Sequence, residues 1–121
     1  MTKIQNSKQY DLEERTLIFA KNVRFFVKKL PKTTANFEDI KQLVRSSGSI
    51  GTNYIEANEV LSKKNFVHRI KISRKEVKES SYWLNLVDTG NIRDLEVNAL
   101  ELINEVTELM KFFSLIMRKS E

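Results

Sequence analysis

The sequence predicts an all-α protein, an up-down-up-down antiparallel four-helix bundle. Three observations carry this. Three Gly and one Pro among 121 residues are too few for the turns of a multi-stranded fold. Punctuation at Leu30-Pro31, Ser62 and Gly90-Asn91 leaves four long segments, each with apolar residues at alternating steps of three and four. The linkers are short, so sequential helices must run antiparallel.

The first helix is expected over about residues 11–30, with Leu12, Thr16, Phe19, Val23, Phe26 and Leu30 as its inward row. The second, over about 36–60, has Ile40, Leu43, Ser47, Ile50, Tyr54, Ala57 and Leu61. That row continues across Gly48 and Gly51, so the helix reads as unbroken. Asn36 followed by Asp39 resembles a capping box. The third, over about 63–89, has Phe66, Ile70, Ser73, Val77, Ser80, Leu84 and Val87. Ser62 is its expected cap, and Gly90 suits a left-handed position after it. The fourth, over about 93–119, has Leu95, Ala99, Leu102, Val106, Leu109, Phe113 and Ile116. Each row gives one seam, as shallow helix crossings require. One domain spans residues 1–121, with the polar stretch 1–9 expected to be loosely held.

Composition excludes several function classes. With no Cys, there is no disulfide framework, thiolate chemistry or Cys-based zinc site. One His excludes any site needing two imidazoles. No run of about eighteen apolar residues exists, and the N-terminus lacks the pattern of a signal peptide. The expectation is a soluble, cytoplasmic protein with no membrane association.

The segment Ser46-Ser47-Gly48-Ser49-Ile50-Gly51-Thr52 superficially resembles a phosphate loop. It lacks the GxxxxGK[ST] spacing and a preceding strand. Small residues that let a neighbouring helix approach closely are the better reading. Glu56 and Glu59, with Glu76 and Glu79, form two Glu-x-x-Glu pairs on adjacent helices. A di-iron bundle needs Glu-x-x-His on two helices, and His68 has no Glu three residues before it. Folding back at Ser62 sets Glu56 level with about residue 68. Glu76 then lies about 12 Å further along the axis, too far to share an ion. No metal and no cofactor are expected, and His68 reads as a surface residue.

The same register sets Arg45 level with about residue 79 and Asn53 opposite about residue 71. Arg45, Asn53, Glu56, Glu76 and Glu79 are therefore expected as structural polar contacts between helices 2 and 3. No nucleophile and base are brought together by periodicity, so no catalytic residues are expected.

Helix 3 carries the unusual charge. Lys63, Lys64, Arg69, Lys71, Arg74, Lys75 and Lys78 face a single anion, Glu76, over the same span. Lys63 and Lys64 oppose the helix dipole, whereas helices 1 and 4 begin acidic and end basic as the dipole favours. A solvated face competes with selection for a polyanion. Aromatic residues are not interleaved there apart from Phe66, so phosphate contact is favoured over base reading. The net charge of +5 permits an acidic partner without demanding one.

Helix 4 has more apolar residues than one seam needs. Leu100, Ile103, Met110, Phe112 and Met117 are the expected oligomer interface, since such an excess is buried by symmetric assembly.

Two motifs carry a family resemblance. Arg45, Ser46, Ser49, Ile50, Asn53, Tyr54, Glu56 and Ala57 form one. Phe66, Ile70, Lys71, Ile72, Lys75, Glu76, Glu79, Tyr82, Trp83 and Leu84 form the other. With Asp11-Leu12-Glu13, the Leu30-Pro31-Lys32 turn and the Gly90 turn, the chain resembles the four-helix-bundle proteins encoded in intervening sequences of bacterial 23S rRNA genes. That family includes the accessory variability protein of diversity-generating retroelements. The resemblance implies a homopentameric ring with a basic surface for RNA or DNA. It also implies binding to a reverse transcriptase where one is encoded alongside. Helix 4 departs at its start, where Ile92-Arg93-Asp94 replaces the family's frequent Ser or Pro. The expectation is a non-enzymatic, nucleic-acid-associated oligomer; the alternative is a protein–protein scaffold with no nucleic-acid role.

Overall fold

The computed structural model describes residues 11–120. Within them the chain forms α1 (Leu12–Val27), α2 (Thr34–Glu59), α3 (Lys63–Leu86) and α4 (Arg93–Ser120). Sequential helices pack against one another in an antiparallel bundle, and α1 closes on α4 less extensively than the sequential pairs pack. The expectation for residues 1–9 lies outside the described residues.

The four inward rows meet in one core. Phe19, Phe26, Leu43, Ile50, Ile70 and Phe113 are fully or almost fully buried. Thr16, Ser47, Ser73 and Ser80, the polar members of the predicted rows, are buried with them. Leu61 departs from its row and is fully exposed. The reason is that α2 ends at Glu59, so Leu61 lies past the last helical turn.

Helix ends also differ from the sequence expectation. Thr33, not Asn36, caps α2, its side chain accepting from the Asn36 N–H at 3.1 Å. Asn36 is buried and serves as a staple. Its Nδ2 donates to the Pro31 and Asp88 carbonyls at 2.9 and 2.8 Å, and its Oδ1 accepts from the Asp88 N–H at 2.9 Å. One side chain thus joins the α1–α2 and α3–α4 connections. Ser62 caps α3 through the Asn65 N–H at 3.1 Å. Helix α3 stops at Leu86 with Val87 extended, so Gly90 lies in the connecting turn rather than directly after the helix. Gly90 has φ +67°, and an added Cβ would sit 2.9 Å from Pro31 Cγ. Both conformation and space therefore demand glycine there. Asn91 follows with φ 60°.

Close approach also explains Gly51. A Cβ there would lie 2.8 Å from Thr16 Oγ1, so α1 crosses α2 against this position. Gly48 has more room, its nearest neighbour being Arg24 Nη2 at 3.7 Å. No described helix is long and apolar enough to cross a membrane.

Candidate nucleic-acid interface

The α2–α3 contact is polar along much of its length. Ser46 and Ser80 hydroxyls share a hydrogen bond of 2.9 Å inside the bundle. The Ser73 hydroxyl donates to the Ile50 carbonyl at 3.0 Å. Arg69 Nη1 donates to Asn53 Oδ1 at 3.0 Å, and Asn53 Nδ2 donates back to the Ser49 carbonyl at 2.9 Å. These pairs follow the register set by the fold-back at Ser62. Asn53 meets position 69, half a turn from the level expected.

Arg45 closes this seam at the surface. Its Nη2 donates to Glu79 Oε1 at 2.7 Å and its Nη1 to Glu76 Oε2 at 3.3 Å. The environments are unequal: the Arg45 side chain is 50% exposed, that of Glu79 37% and that of Glu76 only 8%. Glu76 Oε1 is buried with no hydrogen-bond partner among the described residues. Among the described residues, Arg45 is therefore the cation that compensates the buried Glu76 carboxylate. The hydrogen bond to Glu76, more than any other influence, holds the Arg45 pKa above its ordinary value despite partial desolvation. Glu56 corrects the expectation. It is exposed and makes no hydrogen bond or ion pair among the described residues, because water solvates its carboxylate in place of a partner on α3.

The cations of α3 divide in two. Arg69 is turned inward, half-buried, with its guanidinium on Asn53, so it leaves the proposed phosphate-binding set. Lys64, Lys71, Lys75 and Lys78 are exposed and share the outward stripe, with His68 among them. Arg74 is half-buried. Lys63 and Lys64, with Lys71 and His68, line an open groove of about 640 Å³ that reaches Ser120 at the end of α4. None of these α3 cations has a carboxylate within 4 Å among the described residues. Tyr82, 61% exposed, continues the same stripe seven residues after Lys75. Sequence reasoning passed over it because it treated the motif Tyr82-Trp83-Leu84 only as a family mark.

The expected oligomer interface needs revision. Met117 is 6% exposed and part of the core, so it is withdrawn. Ile103, Met110 and Phe112 pack partly buried against the core, widening the α4 stripe. Leu100 remains, 60% exposed. Unexpectedly, α1 exposes Leu17, Ile18 and Phe25. Ile18 and Phe25 line a groove of about 440 Å³ between α1 and α4, with Asn22, Asn98, Glu101 and Glu105. Sequence reasoning missed this edge because it scored only the excess on helix 4. Beyond the groove, Arg15 binds Glu105 through two hydrogen bonds of 3.0 and 2.7 Å and stacks over Phe112 at 5.1 Å.

Comparison with known proteins agrees with this geometry. The family model described as 23S rRNA-intervening sequence protein matches residues 8–114. The chain is also similar to a crystal structure of a protein with unknown function from the S23 ribosomal protein family, from Bacteroides thetaiotaomicron VPI-5482. The TM-score is 0.73 at 30% sequence identity, covering 87% of this chain and 96% of that one. No curated protein matches the chain.

Proposed function

The chain belongs to the 23S rRNA-intervening sequence protein family, and from that membership we propose that it is a non-catalytic, self-associating bundle that holds nucleic acid by its phosphates. The observation that carries this is the outward stripe of α3. Lys64, Lys71, Lys75 and Lys78 are exposed, with no carboxylate within 4 Å among the described residues. Four lysines on one rigid helix suit a phosphate backbone, which recognises charge and spacing rather than sequence.

Self-association rests on different residues. Ile18 and Phe25 at the α1–α4 groove, and separately the exposed Leu100 on α4, are apolar groups that a further copy would cover. Five copies is the number implied by the resemblance. A reverse transcriptase is the implied protein partner where its gene lies alongside. The same apolar edge favours the second reading, a scaffold for a partner protein whose lysines serve solubility.

Salt titration separates the two. Labelled mixed-sequence RNA and DNA should bind at low salt and dissociate steeply as salt rises, because phosphate contacts release counterions. Absence of binding to either at low salt overturns the nucleic-acid reading and leaves the scaffold.

A further inference from the structure

Phosphate binding leaves Tyr82, at the far end of the α3 stripe, unused. The residue is 61% exposed, on the outward face that carries Lys71, Lys75 and Lys78. At 1.5 Å rise per residue it lies about 6 Å beyond Lys78 and about 10 Å beyond Lys75. Its orientation is supported by a neighbour. The Trp83 ring, packed against the core, meets it edge-to-face with centroids 5.0 Å apart and planes at 84°. A T-shaped contact occupies at most one face of the tyrosine, leaving another for a planar group.

Resting on the reading proposed above, we infer that the α3 face takes single-stranded nucleic acid, with an unpaired base stacked on Tyr82 and its neighbouring phosphates on Lys75 and Lys78. A duplex could engage the lysines, but its bases are stacked within the helix and cannot reach a flat aromatic face. A single strand satisfies both. Cationic tracks ending in a stacking ring bind single strands with little sequence preference, because every base has a π-face. The hydroxyl of Tyr82 is not required; the ring is.

The test compares a labelled 20-nucleotide oligo-dT, an RNA of equal length and a 20-base-pair duplex by fluorescence anisotropy. Trp83, the sole tryptophan, supplies a second readout. The wild-type protein should favour the single strands, and their binding should change Trp83 emission through Tyr82. Tyr82→Ala should weaken single-strand binding about 5- to 150-fold, the contribution of one stacked base, while leaving duplex affinity and the salt slope unchanged. Tyr82→Phe should bind like wild type. Circular dichroism checks that both variants stay folded, and the phenylalanine variant keeps the test decisive if the alanine variant does not. Wild-type single-strand affinity in Tyr82→Ala, or a clear loss in a folded Tyr82→Phe, overturns the inference and leaves phosphate binding standing. Tighter binding of the duplex also overturns it. No binding of any oligonucleotide removes the proposed function, and this inference with it.

Discussion

Arg45→Ala is the most informative single substitution, because it isolates a half-exposed cation from a buried anion. Among the described residues, Glu76 has one oxygen without a partner already, and Arg45 is its remaining compensation. Removing a partner from a fully buried pair costs about 3–5 kcal/mol, and from a surface pair about 0–1. This pair is mixed. The Arg45 side chain is 50% exposed and its 3.3 Å bond to Glu76 is long, so solvent screens part of the interaction. The Glu79 bond is shorter but lies at the surface and contributes at the lower end. The expected loss is about 1–3 kcal/mol, the range for leaving a buried acceptor unsatisfied. In a chain of this length that lowers Tm by about 4–12 °C. Urea unfolding at matched protein concentration measures it, since assembly makes apparent stability concentration-dependent. Adding Glu76→Gln to Arg45→Ala should recover part of the loss, because the stranded charge is then gone. An Arg45→Ala midpoint within error of wild type would refute the claim that this residue compensates Glu76.

Two glycines on one helix should respond with opposite sign. Gly51→Ala forces a methyl against Thr16 and should cost about 1–3 kcal/mol; Gly48→Ala meets only ordinary contact and should stabilise by up to about 1 kcal/mol, both read from denaturant midpoints. Asn36→Ala strands buried groups of both connections and should cost about 1–3 kcal/mol by thermal melting. Replacing Lys64, Lys71 and Lys78 together by Glu should abolish oligonucleotide binding in low salt while circular dichroism stays helical; neutral replacements should flatten the log–log salt slope for single strands by about 2. Light scattering at micromolar concentration should give a multiple of 14.2 kDa; a clean monomer defeats the assembly proposal, and a stable dimer or tetramer defeats only the five-fold ring.

What the sequence made legible follows from what periodicity measures. The four seams were readable because burial repeats every three or four residues, and even the polar members Thr16, Ser73 and Ser80 kept their places. The α2–α3 register was readable because one short connection at Ser62 fixes it. Helix ends were less so: Thr33 and Asn36 are both capping residues by type, and only tertiary contact with Asp88 decides that Asn36 turns inward. Met117 shows the opposite failure. A step of seven from Met110 suggested a second surface row, yet the two residues differ in burial because an α-helix drifts relative to a seven-residue repeat. Arg69 was indistinguishable from its lysine neighbours by charge, and its inward turn depends on Asn53 across the interface.

That last pairing bears on why the α3 stripe remains cationic. Lys75 and Glu79 are four apart on one helix, a spacing that ordinarily allows an ion pair. Here Glu79 and Glu76 are taken by Arg45 from the neighbouring helix, while Arg69 is taken by Asn53. The polar seam thus withdraws the anions of α3 from its own lysines. Lys64, Lys71, Lys75 and Lys78 are left on a helix whose two acidic groups are both engaged by Arg45 of α2. The contact that fixes the α2–α3 register therefore also leaves the outward lysines without a carboxylate partner among the described residues. Arg45→Ala should accordingly act twice: it destabilises the bundle, and it frees Glu79 to pair with Lys75, weakening oligonucleotide binding in the fraction that stays folded.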